Sequence, residues 1–400
     1  MWIANFLVAA SATMVLPFLS LFIEQLGSFS ASYVQRWSGL TFGVTFIAAL
    51  IVSPLWGRMG DRYGYKRVLL ITGFGISISI FCMSFVQTVE QLFVLRLVMG
   101  CVTGFIPTSL ALISSMAPKD IVGKTLGTLQ TGTVSGSLFG PMLGGLLADS
   151  TGFSITFLIT SIAIAFATFI VLVGVKELKK PKVEGSSAKR YDRKAVWRYI
   201  LHHPILFSLM FISLLTQAAI FSIQPLLALY VSDMLPAATN VAFISGTVFS
   251  AAGLGNLLST RRWGKLGDSI GFHKVIFILL ILGAVFFIPQ AFVTEIWQLA
   301  FWRFLVGLSI GGIIPCLTAY VRQLSPLESQ GEILGYTVSF RFLGNVVGPI
   351  LGGVVSGYLG IHFVFFITST LLLICAIILW TSKQKASTVN EKHSAFFQNS

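Results

Sequence analysis

Along the chain, apolar residues come in long blocks divided by short polar breaks. About 20 apolar residues in a helix cross a hydrocarbon layer of ~30 Å, so the block length predicts membrane-spanning helices. We read twelve of them, at about 2–26, 37–56, 68–87, 91–116, 125–148, 153–175, 204–231, 239–260, 274–293, 296–321, 332–358 and 361–381, numbered spans 1 to 12. The strongest polar break, Lys176 to Arg198, contains Lys179-Lys180-Pro181-Lys182 and Gly185-Ser186-Ser187 and divides the spans six and six. The expectation is an all-α polytopic membrane protein: an N-terminal six-helix bundle (1–175), a cytoplasmic linker (176–203), a C-terminal six-helix bundle (204–381) and a tail (382–400). The tail is polar without apolar periodicity and is expected to be disordered.

The two halves repeat one another. Gly57, Asp61, Gly64 and Arg67 recur 207 positions later as Gly264, Asp268, Gly271 and Lys274, each set closing the second span of its half. Arg96, Gly100 and Gly104 in span 4 return at the same offset as Arg303, Gly307 and Gly311 in span 10. Gly136-x-x-x-Gly140-Pro141-x-x-Gly144-Gly145 in span 5 returns 208 positions on as Gly344-x-x-x-Gly348-Pro349-x-x-Gly352-Gly353 in span 11, a shift of one inserted residue. A shared apolar bias cannot place Gly, Pro, Asp and Arg in register, so the halves are homologous.

Composition sharpens this picture. Of 400 residues 55% are hydrophobic and 10% charged, with a mean hydropathy of +0.86. Soluble domains carry roughly 25% charged residues, so a soluble enzyme and a disordered chain are both excluded. The 38 glycines and 13 prolines suit a membrane bundle, where small residues allow close helix contacts. A net charge of +13 does not point to nucleic acid, because the basic residues sit in alternate connections. Arg58, Arg62, Lys66 and Arg67 follow span 2, Lys119 and Lys124 span 4, nine basic residues span 6, and Arg261, Arg262, Lys265 and Lys274 span 8. The other side has Arg36 against Glu90, Asp149, Asp233 and Glu295. The basic side is therefore expected to be cytoplasmic, with both termini on it and anionic lipid headgroups facing it. The first residues lack a positive n-region and a cleavage site, so no removable signal peptide is expected. Cys82, Cys101, Cys316 and Cys375 lie in apolar spans and the five histidines are scattered, which gives neither a disulfide framework nor a metal site. No cofactor is expected, and no Walker A loop is present for ATP.

The segment Gly57-Arg-Met-Gly-Asp61-Arg62-Tyr-Gly64-Tyr-Lys66-Arg67 resembles the loop signature of the major facilitator superfamily. Gly136 to Gly145 resembles the span-5 motif of its twelve-span drug:proton antiporters. Leu16-Pro17-Phe18, Glu24-Gln25-Leu26-Gly27, Trp37-Ser38-Gly39, Asn240 to Gly246, and Ser339-Phe340-Arg341 with Gly344-Asn345 resemble a multidrug-efflux branch of that family. The resemblance implies two rocking six-helix bundles around a midplane cavity, exporting amphipathic drugs against proton entry across a bacterial cytoplasmic membrane. A monomer is expected. A metabolite or sugar exporter of the same fold is the alternative. A membrane-embedded enzyme would need clustered carboxylates, His or Cys at one membrane face, and none converge.

Candidate residues follow. Asp61 stands among basic residues, beside Gly64, which permits a tight turn. A carboxylate at the N-terminus of a helix in the other half gains ~0.3–1 kcal/mol, up to ~2 when partly buried, and would latch the cytoplasmic side. Gly57, Asp61, Arg62, Gly64 and Arg67 are the expected latch. Gly136, Gly140 and Gly144 share one helix face, Pro141 favours a kink there, and with Gly145 they are expected to form a gating surface. Arg96, Arg303 and Arg341 lie inside spans, where each costs about 2.5–3.5 kcal/mol at a helix centre and so should face a partner, the interior or water. Arg341, near the midplane, is the leading cavity candidate; Arg96 is placed on the proton and substrate route by the resemblance but stands close enough to a span end to snorkel. No carboxylate lies deep in a span, which departs from many proton-coupled relatives; Glu24, Asp61 or Asp149 remain to carry a proton. Gln130, Gln217, Gln224 and Asn345, with Phe18, Phe221, Phe340 and Phe342, are the further cavity candidates. An acid-poor interior holding Arg341, joined by Arg96, is expected to favour anionic or neutral cargo.

Overall fold

The computed structural model describes residues 1–117, 121–175, 193–235, 240–326 and 329–398. Lys119 and linker residues 176–192 lie outside the described residues.

The described residues are helical throughout, with short breaks. Span 1 is α1 (Trp2–Met14), a 3-10 turn (Leu16–Phe18) and α2 (Leu19–Gln25). Spans 2 and 3 are α3 (Ala31–Tyr63) and α4 (Tyr65–Met83). Span 4 is α5 (Val89–Val102) with α6 (Phe105–Met116), and spans 5 and 6 are α7 (Val122–Thr151) and α8 (Phe153–Gly174). A short helix, α9 (Arg193–His202), precedes span 7, which is α10 (Pro204–Ser222) with α11 (Leu227–Met234). Spans 8 to 12 are α12 (Val241–Ile270), α13 (Phe272–Phe287) with a 3-10 turn (Ile288–Ala291), α14 (Ile296–Leu324), α15 (Gln330–Leu359) and α16 (Ile361–Gln398).

Eleven of these spans are long and apolar enough to cross a membrane; span 5 is long enough, but its glycines, serines and threonines dilute its hydropathy. Helices α3, α7, α12, α14 and α15, of 29 to 33 residues, run past the boundaries read from the sequence. Charge alone does not stop a helix: α3 continues through Arg58 and Arg62 until Gly64, whose φ of +98° favours a residue without a Cβ. Its repeat partner Gly271 has φ +93°. The linker also ends in structure, because α9 buries Val196 and Ile200, sets Trp197 4.8 Å from the Tyr336 ring and donates from Tyr199 Oη to Leu324 O at 3.1 Å. At the other end, α16 carries its helix to Gln398 through the stretch expected to be irregular, which contains neither Gly nor Pro to break it.

The buried apolar residues of both halves join in one cluster. In the N-terminal half Phe18 stacks on Phe153 at 5.2 Å and meets Phe157 edge-on at 5.7 Å. In the C-terminal half Tyr230 donates to Gln290 O at 2.7 Å and packs on Phe365. The repeat extends to details: Trp56 Nε1 donates to Cys101 O at 2.8 Å, and Trp263 Nε1, 207 positions on, donates to Leu308 O at 2.7 Å.

The halves meet along two seams, span 2 on span 11 and span 5 on span 8. Short connections make successive spans antiparallel, so both seams close at the face opposite the chain ends. There Gly39 lies on Pro349 and Gly353, while Gly145 lies on Ala242 and Gly246 on Pro141; a methyl at any of the three glycines would overlap a backbone carbonyl across the seam. Toward the chain-end face, a methyl at Gly57, Gly127, Gly264, Gly331 or Gly335 would meet nothing within 4 Å. Among the described residues the halves thus make their close glycine contacts at one face, the sealed face, and none at the other, the parted face.

Candidate functional site

Three spans break at mid-membrane depth, and the breaks explain where the cavity lies. Pro17 lacks a backbone N–H and turns span 1 at Leu16–Phe18. Span 4 breaks at Thr103–Gly104 and span 7 between Ser222 and Leu227, around Pro225. Irregular backbone inside a membrane is tolerated where protein or a cavity covers it. Leu16, Thr103 and Gln224, one from each break, line a cavity of about 440 Å³ between the halves.

Its wall is mostly aromatic and aliphatic, with Phe42, Phe46, Phe221, Phe249 and Phe287 among the lining residues. Two guanidiniums supply its charge. Arg96 is 3% exposed and Arg303 6% exposed, and both line the cavity. Arg96 does not snorkel: seven residues from the start of α5 is about 10 Å of helix, and the side chain turns inward instead. Arg96 Nε and Nη2 and Arg303 Nε have no hydrogen-bond partner, nor have Thr45 Oγ1 and Gln224 Oε1 in the same wall. Arg303 stands 5.9 Å from the centroid of the Phe249 ring. No Asp or Glu is among the lining residues.

The remaining candidates fall elsewhere. Arg341 and Asn345 on span 11 and Gln217 on span 7 each keep a buried polar atom without a partner, but none is part of this wall. Gln130 is exposed. Phe18 is buried within the first half; Phe340 and Phe342 are half-buried outside the cavity wall. Glu24 joins Asp149, Ser232 and Asn240 around a separate cleft of about 300 Å³ at the sealed face.

The span-5 motif divides its labour. Gly136, Gly140 and Gly144 pack against Phe6, Ala10 and Met14 of span 1, inside their own half. Gly145 is one residue further, about 100° round the helix, and it faces span 8. Pro141 lines the cavity and offers its carbonyl to the Gly246 contact. Span 11 repeats this: Gly344, Gly348 and Gly352 pack on span 7, and Gly353 meets Gly39.

A carboxylate does cap a helix of the other half, but at the sealed face. Asp149, ending span 5, accepts from Ala242 N at 3.2 Å and Phe243 N at 2.8 Å, in the first turn of α12. Asp61 stays within its own half, accepting from Tyr65 Oη, while the Arg62 guanidinium lies 5.1 Å from the Tyr63 ring and Arg67 is exposed.

Sequence reasoning underrated Arg303 and missed Asn256, Thr45 and Phe249 of the wall. The repeat carried the signal: Phe42 and Phe249, Thr45 and Ala252, Arg96 and Arg303, Met99 and Val306 are all pairs at 207 and all line the cavity. Among the described residues no cluster of three His, Cys, Asp or Glu is arranged to hold a metal.

Comparison with known proteins agrees with this architecture. The family model described as Major Facilitator Superfamily matches residues 1–261 and 234–398. The chain is 55% identical over 382 residues to the Bacillus subtilis (strain 168) protein named "Uncharacterized MFS-type transporter YuxJ", covering 95% of this chain and 96% of that one. It is 38% identical over 390 residues to the multidrug resistance protein MdtG of Salmonella arizonae, covering 98% and 96%. Among solved structures, a bacterial homologue of the human lysosomal transporter Spinster, in an inward-facing and occupied conformation, superposes with a TM-score of 0.79 at 13% identity, covering 96% of this chain and 95% of that one. The nucleoside transporter NupG superposes with a TM-score of 0.76 at 16% identity, covering 95% and 97%.

Proposed function

The chain belongs to the major facilitator superfamily and is a multi-pass membrane transporter, not an enzyme, and we propose that it exports amphipathic drugs or toxic small molecules by alternating access in exchange for protons. The observation that carries this reading is the cavity of about 440 Å³ between two homologous halves that are sealed at one face and parted at the other. On this reading the basic connections, the chain ends and the parted face are cytoplasmic, and the cavity loads from inside. Phenylalanines receive an apolar body and a few polar groups orient it. Likeness to MdtG proteins, whose name records multidrug resistance, supports drugs as the cargo.

On this reading the protein works as a monomer in a bacterial cytoplasmic membrane, both termini inside. Gly57, Asp61, Arg62, Gly64 and Arg67 form a latch that engages when the cytoplasmic side shuts, and Asp61 accepts from Tyr65 of its own half while that side is parted. Glu24 and Asp149, at the sealed face, and Asp61 are the carboxylates available to carry a proton.

The test is transport. A host stripped of its own pumps and expressing this chain should tolerate higher doses of several amphipathic drugs, and proteoliposomes should accumulate them faster under an imposed pH gradient. Drug accumulation indifferent to the gradient would remove the proton, and no efflux of any panel member alongside transport of a sugar or metabolite would replace the cargo.

A further inference from the structure

Buried charges in proteins are nearly always paired, because an isolated ion loses its hydration without compensation. Arg96 and Arg303 break that rule together. Both are almost fully buried, both face the same cavity, their orphaned nitrogens are Nε and Nη2 of one and Nε of the other, and no carboxylate shares the wall. They occupy one position of the repeat, 207 residues apart, so they reach the cavity from opposite halves.

A guanidinium presents its N–H groups as a planar fork that matches the oxygens of a carboxylate, sulfonate or phosphonate. One oxyanion between the two forks meets a donor set from each half, and the phenylalanines around it accept an apolar body. We propose that Arg96 and Arg303 form a two-armed receptor for the single anionic group of an amphipathic organic anion, and that the bound anion draws the halves together. Empty, the two guanidiniums repel and hold the halves apart at the parted face. Occupied, each is attracted to the same charge, and closing the cavity brings the arms nearer to it. This deepens the transport reading above, on which it rests for its cargo.

Naphthalene-2-sulfonate and naphthalene-2-sulfonamide share a ring system and differ in charge, and they serve as probes. With the full chain in phosphatidylcholine nanodiscs, equilibrium dialysis against empty discs should show the sulfonate bound at least tenfold more tightly than the sulfonamide. Arg96→Gln and Arg303→Gln should each abolish that preference while still binding the sulfonamide, which shows that the variants are folded; Arg96→Lys and Arg303→Lys should retain part of it. Spin labels at Arg58 and Lys265, exposed repeat partners on the parted face, should move closer with the sulfonate and stay put with the sulfonamide. Equal affinity for both probes, loss of the preference in Arg341→Gln but in neither cavity arginine, or labels that ignore the sulfonate would overturn the proposal. The drug-efflux panel separates the two readings. Efflux of neutral or cationic drugs without sulfonate selectivity sinks the receptor and leaves the exporter standing; arginine-dependent sulfonate binding without any drug efflux does the reverse.

Discussion

The two seams that seal this protein are built on one plan and finished differently. In both, a glycine four residues past the motif proline brings two backbones together: Gly145 on Ala242 where span 5 meets span 8, and Gly353 on Gly39 where span 11 meets span 2. The plan departs at the next turn. Asp149 of span 5 places its carboxylate on the backbone N–H groups of Ala242 and Phe243, whereas the corresponding position of span 11, 208 residues on, is Gly357. There the Gly357 carbonyl accepts from Ser32 Oγ at 2.6 Å, and Arg36 lies across the glycine with its guanidinium 5.1 Å from the Tyr358 ring. Duplication supplied a steric seal twice, and one copy acquired a negative cap while the other acquired a cation. Among the described residues, only the first seam is bridged by a carboxylate.

The comparison is tested most severely by bulk. Gly140→Leu should cost the most, because even its first carbon overlaps Thr13 and the Ala10 carbonyl of the same half. The expected result is loss of folded, monodisperse protein, not a folded carrier jammed in one state. Gly145→Leu and Gly353→Leu should instead yield folded protein that cannot seal, with transport reduced at least tenfold in each and a cysteine introduced at the sealed face becoming reactive. A severe loss at one seam with full activity at the other would show that the seal is not shared.

How far this was legible in the sequence differs by kind of information. Spacing recovered the all-helical, membrane-spanning pattern and the Gly64 turn, since length and backbone freedom are local properties. It also put Gly136, Gly140 and Gly144 on one face, but one-dimensional periodicity does not say what that face meets; it meets span 1, and the inter-half contact falls to Gly145. The arginines show the same limit. Counting residues along span 11 gives Arg341 a depth and not an azimuth, and it stays off the cavity wall, while Arg303 reaches it. The expectation of a carboxylate on a helix N-terminus across the halves has a physical counterpart at Asp149, on the other face from Asp61. That location depends on which face is closed, a property of the conformational state that no local pattern encodes.

Asp149 gives the next largest effect. Removing an N-cap costs about 0.5–2 kcal/mol, and its charge at a helix N-terminus accounts for ~0.3–1 of that. Asp149→Ala should shift the balance toward an unsealed face by about fivefold for ~1 kcal/mol, and Asp149→Asn, which keeps an acceptor oxygen, by about half that energy. Spin labels at Glu90 and Glu295, exposed at the starts of α5 and α14, report the opening as a second, longer distance. Equal distributions in all three proteins would reduce the cap to a contact without energetic weight. Gly357→Asp offers the reciprocal: it adds a carboxylate where Arg36 already lies, and it should fail to create a cap, since Ser30 Oγ already accepts from Tyr33 N at the start of α3.

Arg36 should matter least, and the reason is its setting. Its Nε donates to Ser32 O at 3.1 Å and its Nη2 to Ser32 Oγ at 2.8 Å, both within its own helix. Across the seam its guanidinium has the Tyr358 ring and the Gly357 backbone beneath it. Tyr358 is 73% exposed, so water competes for the cation, and such a stacked contact is worth about 0.5–1 kcal/mol at most. Arg36→Gln leaves the Ser32–Gly357 hydrogen bond in place and removes the cation, so the Glu90–Glu295 distances should shift by about twofold in population for ~0.5 kcal/mol. Arg36→Lys should fall between, since a lysine keeps the charge and lacks the planar stacking surface. The two seams are then unequal in a measurable order: Asp149→Ala above Arg36→Gln. A reversed order would mean that the cation, not the carboxylate, governs the seal.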